Sequence, residues 1–305
     1  MNVLIIGLGS IAKKHIDAIR LLKYKVDFFA LRSHENAEKY QDINNIFNYE
    51  DIASLEIDFA IISNPTSEHK KAISKLIKYK FPLFIEKPIF ASLDIQEEID
   101  TILNKEISTY VACNLRFLHC IEYVKDKIQQ LVDKRLNEVN VYCGSYLPDW
   151  RPGSDFKKSY SAIPELGGGV HIDLIHELDY LYWLFGIPKD VKRSFRNQSS
   201  IEIKSYDYAN YVLDYDGFCA NVVLNYYRRD PKRSLELVFN DETWNIDLLK
   251  NEIICNNQII FSSEQRIADT YPTQMEYFIS CIKEKKYTFN TILNAFDVLK
   301  ICLDQ

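Results

Sequence analysis

Val3-Leu4-Ile5-Ile6-Gly7-Leu8-Gly9-Ser10-Ile11-Ala12 opens the chain with an apolar β-run, two glycines spaced by one residue, and a small residue three further on. A helical pattern follows to about Leu22, so the spacing predicts strand, Gly-x-Gly-x-x-Ala turn, helix. In that context the first glycine allows the tight turn. The second lets backbone approach a pyrophosphate, and Ala12 lets the helix pack close to the strand. The helix start would then offer free N–H groups and a positive dipole end to an anion, which makes Gly7, Gly9, Ser10, Ile11 and Ala12 candidate cofactor contacts. The same turn without a ligand is the plainer alternative.

The segments that follow repeat the rhythm. A strand over 26–31 ends Ala30-Leu31-Arg32-Ser33, with no acidic residue before Glu35. An acid there would favour NAD through the ribose 2'-hydroxyl, whereas Arg32 and Ser33 suit a 2'-phosphate, so the reading is NAD(P) with NADP preferred. A buried strand over 58–63 leads into Ser63-Asn64-Pro65-Thr66-Ser67-Glu68-His69, read as a turn with Thr66 as N-cap of a helix to about Tyr79. Ser63, Asn64, Pro65 and His69 thereby fall at the sheet edge where a dinucleotide would lie. The strand over 81–85 runs into Glu86-Lys87-Pro88, and because proline cannot continue the ladder, Glu86 and Lys87 are held at that same edge. A partly desolvated lysine beside a carboxylate suits proton transfer to or from a reacting hydroxyl, although two surface charges closing a strand would look the same. A helix near 93–103 and a strand over 109–113 lead to Asn114-Leu115-Arg116-Phe117. Alternating strands and helices specify a parallel, doubly wound sheet.

Past a helix read from His119 to Val132 the pattern becomes strands at 138–145, 191–196, 207–214, 218–227, 234–239, 242–247 and 252–261. Short turns such as Tyr215-Asp216-Gly217 and Asn240-Asp241 join some of them, which suits a large, mostly antiparallel open sheet. Two segments interrupt it. In Tyr146 to Phe156, with Tyr160 just beyond, Pro and Gly break regular structure while Trp150, Arg151 and Tyr160 offer stacking faces and an anion fork. Gly167-Gly168-Gly169 opens a helix read through to Phe185, with Gly186 and Pro188 ending it. On a continuous helix Asp173 and His176 share one face, continued by Asp179 and Tyr180. His171 and His176 are off the spacing of a helical zinc pair, and no metal is expected.

The 305 residues suit two domains: 1–118 for the dinucleotide, and 119–305 for substrate and oligomer contacts, with a C-terminal helix free to pack back on the first. An apolar share of 47% and a charged share of 26% are ordinary for a globular chain. A net charge of −6 without a basic groove argues against nucleic acid. Met1 to Gly7 lacks the basic lead and apolar core of a signal peptide, and no stretch is long enough to span a bilayer, so a cytoplasmic protein without membrane contact is expected. Seven scattered cysteines without a Cys-x-x-Cys read as reduced core residues.

Taken together these motifs resemble the Gfo/Idh/MocA (glucose-fructose oxidoreductase-like) NAD(P)-dependent dehydrogenases over essentially the whole chain. The resemblance rests on the early glycine motif, the Ser63 to His69 turn, Glu86-Lys87-Pro88, the Asn114 to Phe117 segment and the Gly167 to Asp179 helix. It implies a Rossmann domain followed by an α+β domain. Lys87 would be the catalytic lysine, aimed by a cis peptide before Pro88. His176 would match the catalytic histidine and Asp173 the acid before it. One departure stands out: the family spaces that acid four residues before the histidine, and here the gap is three. Asp149-Trp150-Arg151 and Asp-x-x-His-Glu-x-Asp-Tyr look like a subgroup linked to bacterial surface-sugar biosynthesis.

The expected activity is hydride transfer between a sugar, sugar phosphate or nucleotide-sugar carbon and nicotinamide, with Lys87 and His176 meeting at the ring and sharing the hydroxyl proton. Arg116, Trp150, Arg151, Tyr160, Asp173 and His176 would hold the substrate, while Glu86 and Lys87 also touch the cofactor. A homodimer or homotetramer through the second sheet is expected. The alternatives are a non-catalytic sensor of dinucleotide or sugar, and a self-recycling isomerase or epimerase that keeps its cofactor.

Overall fold

A computed structural model of the chain describes residues 1–131 and 134–303. They divide into two compact units, Met1–Cys113 with Tyr271–Lys300, and Asn114–Thr270 with the chain from Ile301.

In the first unit β1 (Asn2–Ile6) runs into α1 (Ser10–Leu21), then β2 (Asp27–Leu31), β3 (Asn44–Ile46), β4 (Phe59–Ile62), α2 (His69–Leu76), β5 (Leu83–Glu86), α3 (Gln96–Asn104) and β6 (Thr109–Ala112). The strands pair in parallel in the order β3-β2-β1-β4-β5-β6. Such a sheet is covered on both faces, which is why β4 and β5 read as unbroken apolar runs and are buried at every residue. The order reverses between β1 and β4, and in open α/β sheets ligands sit at the carboxyl ends of the strands beside that switch. Thr66 is not an N-cap: it begins a short 3-10 turn, Thr66–Glu68, because Pro65 fixes the entry and leaves α2 to start at His69. Strand β3 escaped the sequence reading because Asn44-Asn45-Ile46 carries no apolar run.

The second unit holds α4 (His119–Ile128), β7 (Leu136–Tyr146), α5 (Val170–Asp173), α6 (His176–Phe185), β8 (Asp190–Arg196), β9 (Tyr208–Asp214), β10 (Cys219–Asn225), β11 (Tyr227–Phe239), β12 (Thr243–Asp247), β13 (Glu252–Cys255) and β14 (Gln258–Ser262). The helix read to Val132 is α4, and Val132 itself lies outside the described residues. The strands form one sheet, β14-β13-β12-β11-β7-β10-β9-β8, antiparallel except for β7 with β10. Period-two alternation gives it two unlike faces. Val139, Val141, Ala220, Val222, Leu235 and Leu237 are buried on one, while on the other Asn221 donates to Asn140 (3.2 Å) and Asn140 to Glu236 (2.8 Å).

The last helices, α7 (Thr270–Glu284) and α8 (Ile292–Leu303), cluster almost wholly with the first unit. Phe278 of α7 packs its ring against Phe59, Phe84 and Tyr110, closing the face of the parallel sheet beside β4, β5 and β6. Among the described residues no helix is long and apolar enough to cross a membrane.

Candidate active site

The glycine turn has the geometry its sequence asks for. Gly7 has φ +86°, and a Cβ there would lie 2.4 Å from Asn64 Cα, so only glycine lets the turn rest on the β4 edge. Gly9 is different: nothing lies within 4 Å of where its Cβ would be. Open space above the second glycine is what a pyrophosphate needs. The first turn of α1 carries no acidic side chain and no side-chain cap, so its N–H groups and positive end face that space. Ala12, fully buried, sits against the sheet. These residues fit a dinucleotide.

Several edge residues read as cofactor contacts prove to be braces. Ser63 Oγ donates to the carbonyls of Ile6 (3.2 Å) and Gly7 (3.0 Å), tying β4 to the glycine turn. His69 is buried, with Nδ1 3.0 Å from the Ile89 carbonyl and Nε2 3.0 Å from the Asn64 carbonyl, so it links the two loops that leave β4 and β5. Burial holds its pKa below the usual imidazole value, against the pull of those carbonyls. The neutral ring donates to one carbonyl at a time. Glu86 is taken by its own domain as well: Oε1 accepts from His15 Nε2 at 2.5 Å and Oε2 from the Lys87 N–H at 3.2 Å. Its carboxylate is therefore committed to α1 rather than held out to a cofactor. Lys87 stands half-buried at the end of β5, followed by a cis peptide to Pro88. Arg32 is half-buried at the end of β2, its Nη1 donating to the Glu38 carbonyl (3.1 Å), with Ser33 exposed beside it.

His15 was missed by sequence reading. It lies on the inward face of α1 with Ala12 and Ile19, edge-on to Phe84 with ring centroids 4.8 Å apart. A histidine among apolar helix positions needs a partner, and that was the available signal.

In the second unit a cluster forms around Asp173. Tyr160 donates to its Oδ1 at 2.6 Å and Tyr226 to its Oδ2 at 2.5 Å. Burial, and then the Asp173 charge, push both phenols well above their usual pKa, so they stay protonated donors. Trp150 meets the Tyr226 ring edge-on at 5.3 Å and donates Nε1 to Ser145 (2.9 Å), while the Arg151 guanidinium lies 5.4 Å from the Tyr160 ring centroid. Trp150, Arg151, Tyr160 and Asp173 are thus one neighbourhood, as the sequence suggested. Tyr226 was not singled out, yet Val222, Leu224 and Tyr226 alternate inward, and an inward tyrosine hydroxyl demands an acceptor.

Two expectations fail here. The helix from the glycines is not continuous: α5 ends at Asp173, Leu174 has φ −98° and ψ 28°, and α6 begins at His176. Asp173 and His176 therefore do not share a helical face. Arg116 does not offer a free fork to substrate, because it is 1% exposed and grips Asp179 through Nε (2.8 Å) and Nη2 (2.7 Å). The glycine run makes room for the chain itself: a Cβ on Gly168 would lie 2.0 Å from the Tyr160 carbonyl. Neighbouring Glu177 is likewise gripped by Arg233, Nε to Oε1 at 2.6 Å.

A doubly wound sheet with an open glycine turn, followed by an antiparallel open sheet, defines a dinucleotide-binding oxidoreductase architecture. Residues 1–112 match the family described as "Oxidoreductase family, NAD-binding Rossmann fold", and residues 126–244 match the GFO/IDH/MocA C-terminal domain. The chain belongs to the Gfo/Idh/MocA family. An uncharacterized oxidoreductase of Streptococcus pneumoniae is 29% identical over 46% of this chain and 37% of its own length. A 2,7-anhydro-N-acetylneuraminate hydratase of Mediterraneibacter gnavus is 28% identical over 49% of this chain and 38% of its own length. The chain thus spans well under half the length of these two curated relatives. Among solved structures, the UDP-N-acetylglucosamine 3-dehydrogenase of Acidithiobacillus ferrooxidans shares the fold with TM-score 0.78, 18% identity, and coverage of 99% of this chain and 95% of that one.

Proposed function

We propose that the chain is an NAD(P)-dependent oxidoreductase acting on a CH–OH carbon of a sugar or nucleotide-sugar, with Lys87 and His176 as the proton-transfer groups. The observation that carries this reading is the glycine turn open at Gly9 on the same sheet edge that presents Lys87. A nicotinamide, when bound, supplies hydride acceptance or donation. In oxidation the substrate carbon loses hydrogen with its electron pair, the hydroxyl loses a proton, and a carbonyl remains. That proton goes to Lys87 or His176, and in reduction it returns from them. Trp150, Arg151 and Tyr160 orient the substrate. Arg32 and Ser33 at the end of β2 favour NADP over NAD. The exposed polar face of the second sheet suits assembly into a homodimer or homotetramer, and a cytoplasmic enzyme fits both.

Mixing the protein with NAD+ or NADP+ and UDP-N-acetylglucosamine or N-acetylneuraminic-acid derivatives, and following nicotinamide absorbance, tests the reading. Net reduction supports it. Failure to bind either dinucleotide refutes it. A second reading, a self-recycling enzyme that retains its cofactor, is favoured by the relative named a hydratase, since hydration involves no net oxidation. It predicts product without lasting absorbance change.

A further inference from the structure

The Asp173 carboxylate receives a tyrosine hydroxyl on each oxygen, and those tyrosines come from different parts of the second unit. Tyr160 sits in the loop after β7, in a short 3-10 turn Tyr160–Ala162. Tyr226 lies between β10 and β11, fully buried, its own N–H donating to the Asp207 carbonyl (3.0 Å) and its carbonyl accepting from Leu147 N–H (2.8 Å). Tyr226 is therefore fixed by its own backbone before its hydroxyl reaches the carboxylate. Asp173 is the last residue of α5, and His176, the first of α6, follows after the break at Leu174. Leucine and isoleucine at 174 and 175 would continue a helix by preference, so the break is imposed by what holds its ends. α5 carries two polar side chains, His171 and Asp173, and Asp173 is the one at the break, where both tyrosine hydroxyls reach it.

We propose that Tyr226 and Tyr160, acting through Asp173, are positioning residues for His176. Their two hydrogen bonds end α5 at a fixed point, and the break then delivers the imidazole at the start of α6. Asp173 is on this account an anchor and not a proton carrier. The three-residue gap between acid and histidine works because no single helix connects them. The assignment rests on the proposed role of His176 in proton transfer.

The test uses the whole protein. The Cε1–H signal of His176, identified by its loss in His176→Gln, is followed by NMR in Tyr226→Phe and Tyr160→Phe. The expected result is a shifted or broadened His176 signal in both, with His15 and His69 unmoved. A folded Tyr226→Phe protein with an unchanged His176 signal overturns the proposal. With a sugar that the wild type turns over, Tyr226→Phe should lower kcat about tenfold or more, as loss of a hydrogen bond to a charged group does, while the Kd for NADPH holds. Asp173→Asn, which can accept from one tyrosine and donate to the other, should retain much more turnover than Asp173→Ala. Equal inactivity of the two would make Asp173 the proton carrier and overturn the anchor. A wild type inert towards every sugar would refute the proposed function instead, and the NMR result would still decide the anchor.

Discussion

The two motif glycines make opposite predictions when each is replaced by alanine, and the pair tests the cofactor cradle apart from the fold. Gly7 has φ +86°, a left-handed conformation that costs an L-residue about 1–2 kcal/mol. Its Cβ would also meet Asn64 backbone at 2.4 and 2.5 Å, closer than any real contact, and Asn64 is tied through its carbonyl to His69, so it gives way only by moving the α2 entry. Adding overpacking of about 1–3 kcal/mol brings Gly7→Ala to roughly 2–5 kcal/mol. At about 2–4 °C per kcal/mol for a unit of this size, the melting temperature should fall by on the order of 10 °C. Gly9→Ala places its Cβ where nothing lies within 4 Å, at φ −90°, which alanine adopts freely. Its melting temperature should hold or rise slightly, since alanine loses less unfolded-state entropy. Its methyl would stand in the open space above the turn, and the Kd for NADPH, read by fluorescence titration, should rise tenfold or more. Wild-type affinity in Gly9→Ala would refute the claim that this space receives the dinucleotide, and an undisturbed Gly7→Ala would refute the contact with Asn64.

Lys87→Ala should lower turnover by about 10²-fold or more, the scale of lost acid–base catalysis, with the Kd for NADPH nearly unchanged in the same titration. Arg116→Ala strands the buried Asp179 carboxylate and should cost about 3–5 kcal/mol in urea unfolding, far more than an exposed arginine would. His171 is held down to about 4 by burial among Phe195 and Tyr206, with Asp173 pulling the other way. The unfolded ring, near 6.5, takes a proton that the folded ring refuses, so stability is intact above about pH 6.5 and declines as pH falls towards 4, by about 3 kcal/mol. His171→Phe should remove that part of the decline between pH 7 and pH 4 in urea midpoints.

Much of the parallel sheet was legible because fully buried strands are unbroken apolar runs: Phe59 to Ile62 and Leu83 to Ile85 admit few other readings. The start of β11 was hidden. Arg228 to Arg233 is charged and contains Pro231, and the strand tolerates it through an irregular register between Tyr227 and Lys232. The candidate site was legible by neighbourhood and not by partner. Sequence placed Ser63, His69 and Glu86 at the right edge, but a polar side chain there can face a ligand or its own backbone, and these three face the protein. The glycines at 167–169 were read as opening a helix, and nothing local says that Gly168 leaves room for the Tyr160 carbonyl. The helix break was invisible for the same reason: Leu174 and Ile175 are ordinary helix formers, and the hydroxyls that hold Asp173 come from positions 160 and 226.

The start of α6 carries a cost that apolar packing would have avoided. Glu177 and Asp179 are buried at 0% and 1% exposure, each in a two-point contact with an arginine: Arg233 from β11 and Arg116 from the turn after β6. Burying two ion pairs adds little net stability, since desolvation offsets most of the attraction. What a planar fork on a planar carboxylate does fix is rotation, because both bonds survive in only one orientation, whereas leucines at the same two positions would tolerate a few degrees of roll. Two forks two residues apart on the helix, approaching from different elements, fix both the roll and the height of its first turn. His176 is the residue just before them. Under the proposed role of His176 in proton transfer, a helix held this way has a use that core filling alone would not require.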